Sequence, residues 1–265
     1  MIAEPRYRRP RSIDEATALL ADSAQTAVVL GGGTMVTPML TRGEVRPSLI
    51  LDPRDLGLDA IVVTDDEIEI GARVTYADVL ASDELRAALP LLQTVAQGIT
   101  GGAQIRNQGT LGGSACLANP PSDVPACLVA TDAVLRLRGS HGVRTVAAAD
   151  FFVDARSTAR RSDELLTEIV IRRSTRRFGY AKLKLSESSW PIATAVAALD
   201  ERSGVGAITL GGVHRRPLRV EIAVATQIEE VVSMALDDPW DDVLAPAEYR
   251  RQVAPVVARR AWEAL

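Results

Sequence analysis

The chain has few of the residues that usually hold metals in proteins. Its 265 residues include two cysteines and two histidines. Cys116 and Cys127 form no CxxC pair, and His141 and His214 lie far apart in the sequence, so no zinc or iron–sulfur ligand set is present. We therefore expect no transition-metal site built from this chain alone, and any redox chemistry would require an organic cofactor.

Long hydrophobic runs and an excess of positive charge are also lacking. No apolar segment approaches the roughly 20 residues of a membrane-spanning helix. Residues 1–11 lack the apolar stretch of a signal peptide, so the expected location is the cytoplasm. The net charge of −4 does not favour nucleic acid as a partner. With 47% hydrophobic and 24% charged residues, the composition is that of an ordinary globular protein.

Local signals predict an α+β chain. A capping box of Ser12 and Glu15 begins a first helix, Thr75 with Asp78 begins a second, and Pro90 begins a third. A further helix is predicted at residues 124–130. Strands are predicted at residues 27–30, 48–51, 60–63, 68–72, 134–138, 143–146 and 165–171.

The basic stretch at residues 172–177 is the predicted domain boundary. Beyond it the pattern predicts three strands and two helices, and the second helix is expected to be interrupted near Pro255, which lacks an N–H. The strands are predicted at residues 180–185, 192–199 and 207–212, and the helices at residues 219–235 and 247–265. Residues 100–123 have no clear periodicity and are predicted to form a long functional loop.

A first glycine-rich turn follows the predicted strand at residues 27–30. Its sequence, Gly31-Gly32-Gly33-Thr34, partly matches the Rossmann fingerprint, since Asp52 follows about twenty residues later. However, the third glycine is replaced by Val36, and Pro38 disrupts the helix that should follow. A tight strand-to-helix turn without a ligand remains the alternative.

A second turn reads Gly109-Thr110-Leu111-Gly112-Gly113-Ser114. Paired glycines let backbone N–H groups approach a ligand closely, and the two hydroxyls add donors, which suits a pyrophosphate. Two such turns would hold one diphosphate from opposite sides. The pair therefore predicts a dinucleotide site.

Several charged side chains lie near these turns or follow them. Asp123 would accept a hydrogen bond from a ribose or flavin edge, cap the helix at residues 124–130, or do both. Arg106 either neutralises phosphate, forms an interface ion pair or is solvated. The two lysines, Lys182 and Lys184, share one face of a predicted strand, and one of them would approach the electron-rich end of a flavin.

The sequence resembles a known family along its whole length. The segments LGGGTMVTPML and QIRNQGTLGGSACLANPPSDVPACLVATDA, with LGGV at residues 210–213, are similar to the FAD-binding medium subunit of the molybdenum hydroxylases. This is the carbon monoxide dehydrogenase and xanthine dehydrogenase group, and the IRNxGTxGGS block followed by PxSD is its specific signature. The resemblance implies a two-subdomain FAD-binding fold of the PCMH type at residues 1–175, divided near residue 55 into 1–55 and 56–175. A C-terminal domain with a three-stranded sheet and helices would occupy residues 176–265.

The resemblance also implies a set of FAD-binding residues. Both glycine turns would hold the diphosphate, Leu165 and Leu166 would lie near the flavin, and Lys184, or with weaker support Lys182, would approach it. The implied set is Leu30, Gly31, Gly32, Gly33, Thr34, Met35, Val36, Gly109, Thr110, Gly112, Gly113, Ser114, Cys116, Asp123, Leu165, Leu166 and Lys184. No catalytic acid or base and no metal ligand is implied.

Two departures from the family pattern affect these expectations. Met35 replaces the usual Ser or Asp, which removes one side-chain contact and leaves the backbone donors. Residues 186–191 lack the Arg-Arg pair that the family often has. The terminal electron acceptor, whether NAD, quinone or oxygen, therefore stays open.

The function implied by the resemblance is that of an electron-transfer subunit. A large molybdenum subunit would hydroxylate the substrate, and a small iron–sulfur subunit would pass the electrons to FAD on this chain, in a dimer of heterotrimers. Two alternatives remain: a self-sufficient FAD-dependent oxidoreductase of the same fold, and an assembly or binding protein that has lost FAD.

Overall fold

The structure is a computed structural model that describes residues 4–22, 26–223 and 225–265. It contains three main sheets, each with helices packed beside it. In these ranges no helix has both the length and the apolar character needed to cross a membrane.

The first unit is a small parallel sheet with two helices. Its elements are β1 (Arg6–Arg8), α1 (Ile13–Asp22), β2 (Ala27–Val29), α2 (Val36–Thr41) and β3 (Leu49–Leu51). The central strand β3 pairs in parallel with β1 and with β2. The predicted cap of α1 is confirmed, because the Ser12 hydroxyl accepts a hydrogen bond from the Glu15 N–H at 3.1 Å. The first glycine turn lies between β2 and α2, at the carboxyl end of a parallel strand.

The second unit is built on a five-stranded antiparallel sheet. Its elements are β4 (Ile61–Val63), β5 (Glu67–Gly71), α3 (Tyr76–Ala81), α4 (Asp83–Ala88), α5 (Pro90–Gln97), α6 (Gly102–Gln108), α7 (Leu111–Leu117), α8 (Asp123–Ala130), β6 (Val134–Gly139), β7 (Gly142–Ala147), α9 (Ala148–Phe151), β8 (Phe152–Asp154), β9 (Ser157–Thr158) and β10 (Leu165–Arg172). The strand order is β4-β5-β10-β6-β7, and β8 pairs with β9 as a separate hairpin. The capping box of Thr75 and Asp78 and the start of α5 at Pro90 are confirmed.

The prediction of an irregular loop at residues 100–123 is wrong. This segment contains α6 and α7, each seven residues long. Their glycines and their short length hide the helical periodicity, and tertiary contacts override the low helix propensity of glycine. Thr110 caps α7, since its hydroxyl accepts the N–H of Gly113 at 3.0 Å.

The C-terminal unit is a four-stranded antiparallel sheet covered by two helices. Its elements are β11 (Arg177–Lys184), β12 (Pro191–Leu199), β13 (Gly206–Gly211), β14 (Leu218–Ile222), a 3₁₀ turn (Ala225–Gln227), α10 (Ile228–Ala235) and α11 (Ala247–Glu263). The expected three-stranded sheet gains β14, because residues predicted to start a helix pair with β13 instead. The predicted interruption of the last helix is also wrong. Pro255 is buried inside a continuous α11, where packing outweighs the missing hydrogen bond.

Three apolar cores hold these units together. The largest lies between the five-stranded sheet and the helices of the second unit, and it includes Val196 of β12. A second core lies between the four-stranded sheet and the helices α10 and α11. A third, formed by buried residues such as Leu20, Leu51 and Leu165, joins the first unit to the second.

Candidate functional site

A cavity of about 490 Å³ is lined by residues from all three units. This volume lies within the range of roughly 300–1,000 Å³ that is usual for ligand pockets. Most of the predicted FAD-binding residues line it, namely Gly31, Gly32, Gly33, Thr34, Met35, Val36, Thr110, Gly112, Gly113, Ser114, Cys116, Asp123, Leu165 and Leu166. Leu30, Gly109 and Lys184 are not among the lining residues.

The first glycine turn presents a row of free backbone donors. The N–H groups of residues 31–35 make no hydrogen bond to any residue that the structure describes. Gly33 has a φ of +72°, which lies in the left-handed region that favours glycine. Consecutive unpaired N–H groups form a concave surface that suits an anion such as a diphosphate.

The two turns approach each other too closely for side chains. A Cβ on Gly32 would lie 1.7 Å from the carbonyl oxygen of Gln108, and a Cβ on Gly31 would lie 3.1 Å from the Thr110 hydroxyl. Glycine is therefore required at position 32 by the neighbouring backbone.

The second turn makes a different contribution from the first. The N–H groups of its glycine pair and of Ser114 are already used, since Gly112 donates to the Ala72 carbonyl, Gly113 to the Thr110 hydroxyl and Ser114 to the Thr110 carbonyl. A Cβ on Gly112 would lie 2.4 Å from the Ala72 carbonyl oxygen, so this glycine allows close packing. The second turn supplies the opposite wall of the cavity, and the free donors come from the first turn.

Asp123 lies in the cavity wall in a buried network. It is the first residue of α8 rather than its N-cap, so the capping interpretation is wrong. Its carboxylate is 3% exposed and accepts hydrogen bonds from the Tyr180 hydroxyl at 2.5 Å and from Lys182 Nζ at 3.3 Å. Burial raises the pKa of Asp123, and the charge of Lys182 and the hydrogen bond from Tyr180 oppose that rise. Lys182 also donates to the Gly98 carbonyl at 2.6 Å.

Lys184 has a different position from Lys182. Its ammonium group donates to the Glu187 carbonyl at 2.5 Å. The β11–β12 register shifts between Leu183 and Lys184, and the extra residue lies in β12. Of the two lysines, Lys182 therefore contacts the cavity wall through Asp123.

Apolar groups close the rest of the cavity. Leu165 and Leu166 are buried, and residues 99–101 and Trp190 also line it. The Thr100 hydroxyl donates to the Ser189 carbonyl at 2.9 Å, which fixes the loop before Trp190. Burial raises the pKa of the Cys116 thiol, so this residue is a neutral part of the wall.

Sequence reasoning missed several lining residues and over-interpreted two others. Tyr76, whose hydroxyl forms a hydrogen bond with the Ser114 hydroxyl, and Arg73 both line the cavity and carried no sequence signal. Asp52 does not line it. Its buried carboxylate accepts a hydrogen bond from the Tyr7 hydroxyl at 2.6 Å, so the Rossmann interpretation is not supported. Arg106 is also outside the lining.

The donor set fits FAD. The unpaired N–H groups of lining residues 31–35 suit a diphosphate, apolar walls suit a ring system, and a buried carboxylate offers a polar contact. Within the described ranges no group of three or more His, Cys, Asp or Glu side chains is arranged to hold a metal ion.

Comparisons with known proteins agree with this geometry. A family model described as the FAD binding domain in molybdopterin dehydrogenase matches residues 3–173. The carbon monoxide dehydrogenase medium chain of Afipia carboxidovorans is 34% identical over 97% of this chain and 95% of its own length. The glyceraldehyde dehydrogenase medium chain of Sulfolobus acidocaldarius is 30% identical over 97% of this chain and 96% of its own length. A solved structure of reconstituted CO dehydrogenase from Oligotropha carboxidovorans superposes with a TM-score of 0.92 at 32% identity, covering 100% of this chain and 98% of the other.

The fold and the cavity thus define a flavoprotein that binds FAD. Within that class, the chain belongs to the family of FAD-binding medium subunits of the molybdenum hydroxylases, which are oxidoreductases. The resemblance inferred from the sequence motifs is confirmed.

Proposed function

We propose that this chain carries electrons through FAD from iron–sulfur clusters on a partner subunit to a terminal acceptor. The observation that supports the proposal most directly is the cavity, in which the free N–H groups of residues 31–35 face a site otherwise walled by apolar and buried polar groups. Among the described residues that line the cavity there is no histidine beside a nucleophile.

The roles of the side chains follow from their contacts. The N–H groups of the first glycine turn would bind the diphosphate, and Leu165 and Leu166 would exclude water beside the ring system. Asp123, held by Tyr180 and Lys182, would present a carboxylate to the flavin or its ribityl chain. FAD, when bound, supplies the electron and hydride chemistry, and the protein tunes it through such contacts.

The proposal includes an assembly. The named relatives are medium chains, which are single components of larger enzymes. We propose a large molybdenum subunit and a small iron–sulfur subunit as partners, a dimer of heterotrimers as the assembly, and the cytoplasm as the location. We also propose an FAD-binding domain at residues 1–175, with subdomains at 1–55 and 56–175, and a C-terminal domain at residues 176–265. The relatives act on different substrates, so the substrate would be set by the large subunit.

The experiment uses the FAD-loaded chain and the small iron–sulfur subunit from the same gene cluster. The two are mixed without oxygen after the clusters have been reduced, and the visible flavin absorption is followed. We expect rapid bleaching that requires both proteins. The Gly32→Ala variant, whose new Cβ would collide with the Gln108 carbonyl, serves as a control with an impaired FAD site.

Other outcomes would contradict the proposal. If dithionite bleaches the flavin but the reduced clusters do not, the electron route is wrong. If a small organic substrate reduces the chain without any partner, the self-sufficient oxidoreductase is the better description. If the chain is purified colourless and takes up no added FAD, it is an assembly or binding protein.

A further inference from the structure

Arg73 occupies a distinctive position between the two glycine turns. It follows Ala72, whose carbonyl accepts the N–H of Gly112 in the second turn. Its own Nη1 donates to the carbonyl of Gly31 in the first turn at 3.4 Å. The residue lines the cavity, and its side chain is 22% exposed. Arg73 therefore links both turns at the point where they meet.

The guanidinium of Arg73 has N–H groups without a hydrogen-bond acceptor. Its Nε is buried and makes no hydrogen bond with any described residue. Nη2 also makes no hydrogen bond with any described residue, and the planar fork of a guanidinium matches phosphate oxygens. The weak contact with Gly31 leaves most of this capacity unused.

An ion pair with Asp52 does not account for the position of the Arg73 side chain. The Asp52 carboxylate already accepts hydrogen bonds from the Tyr7 hydroxyl at 2.6 Å and from the Arg54 N–H at 3.1 Å, and it pairs with the Arg54 guanidinium at 2.6 Å. Arg73 is more distant, with 4.0 Å between its Nη1 and the carboxylate. Arg54 therefore satisfies Asp52 from outside the cavity, while Arg73 lines the cavity itself.

The other lining cation contacts a different segment of the chain, away from the first glycine turn. Among the described residues, the cationic side chains in the cavity wall are Arg73 and Arg160. The Arg160 guanidinium donates to the carbonyls of Arg161 and Glu164 at 3.0 and 2.6 Å. Arg73 is therefore the better-placed charge for an anion held by the first glycine turn.

We propose that Arg73 binds the diphosphate of FAD and makes the site selective for a dinucleotide over a flavin without the diphosphate. The backbone N–H groups of residues 31–35 would approach the phosphates, and Arg73 would supply a full positive charge beside Gly31. This inference rests on FAD binding by the chain, and it does not depend on the electron route proposed above.

The test measures binding to the FAD-free chain by calorimetry, with FAD, ADP and riboflavin as probes. We expect Arg73→Gln to weaken FAD and ADP about 10- to 100-fold, the usual worth of a hydrogen bond to a charged group, and to leave riboflavin unchanged. Raising the salt concentration should weaken ADP binding to the wild type more than to this variant.

The matched control is Arg54→Gln, which disturbs the same Asp52 from outside the cavity. ADP affinity should be unchanged in this variant. If both variants lose ADP binding equally, or if Arg73→Gln binds ADP like the wild type, the proposal is wrong. Should Arg73→Gln not fold, Arg73→Lys is the second variant, since it retains the charge without the planar guanidinium. A several-fold loss of ADP affinity in Arg73→Lys would support the proposal, and wild-type affinity would overturn it. A wild-type chain that binds no FAD would instead refute the whole site.

Discussion

Replacing Tyr180 by Phe tests the buried network that links the C-terminal sheet to the cavity. The variant removes the hydroxyl that donates to Asp123 at 2.5 Å and leaves Lys182, at 3.3 Å, as the remaining side-chain donor among the described residues. A hydrogen bond to a charged group contributes about 1.5–3 kcal/mol. We therefore expect the variant to lose about that much free energy of unfolding at pH values where Asp123 is ionised in the folded chain.

The direction in which stability changes with pH follows from the pKa shift of Asp123. Burial already raises the pKa of Asp123, so the folded state binds this proton more tightly than the unfolded chain does. Stability therefore falls as the pH rises from the unfolded pKa to the folded pKa. The variant raises the pKa of Asp123 in the folded state further, which widens the pH range over which stability falls. Once Asp123 is protonated, the charge-assisted bond no longer matters, and the deficit should shrink.

The assay is urea unfolding of the FAD-free chain at a series of pH values, from alkaline pH down to the lowest pH at which the chain stays folded. Tyr180 stays protonated throughout, because burial and Asp123 raise its pKa well above the ordinary value. The control is Tyr249→Phe, since that side chain is 42% exposed; it should change stability by less than about 0.5 kcal/mol. A deficit that is the same at every pH, or one no larger than that of the control, would refute the reasoning.

Two further changes test other parts of the structure. Gly32→Ala should weaken FAD binding about tenfold or more in a fluorescence titration, because its Cβ would lie 1.7 Å from the Gln108 carbonyl oxygen. The control is Gly57→Ala: the φ of +65° makes alanine cost some stability there, but no atom lies within 4 Å, so FAD affinity should stay at the wild-type value. Arg250→Met should cost about 3–5 kcal/mol in urea unfolding. Arg250 is fully buried and pairs with Asp242 at 2.5 Å, so a loss below about 1 kcal/mol would show that the pair is dispensable.

Local structure could be predicted where adjacent residues determine it. The cap of α1, the capping box of α3 and the proline that begins α5 depend on hydrogen bonds and backbone angles within one turn. The strands predicted at residues 60–63 and 68–72 are also present, as β4 and β5, which pair across a short turn.

Elements that depend on distant partners were predicted less well. The helices α6 and α7 are short and rich in glycine, so neither periodicity nor propensity marks them. The strand β14 has an amphipathic pattern that also suits a helix, and its pairing with β13 decides between them. Pro255 is tolerated inside α11 because its surroundings are buried.

The sequence alone determined the family, the cofactor and the two glycine turns, because these depend on short motifs whose backbone requirements are local. The tertiary structure decided which backbone donors stay free, since the N–H groups of Gly112, Gly113 and Ser114 in the second turn donate to Ala72 and Thr110. It also brings Lys182 to Asp123 and Lys184 to the Glu187 carbonyl, contacts that no local pattern reveals. A buried carboxylate must find its partners in space, and Asp123 finds them on a strand more than fifty residues further along the chain.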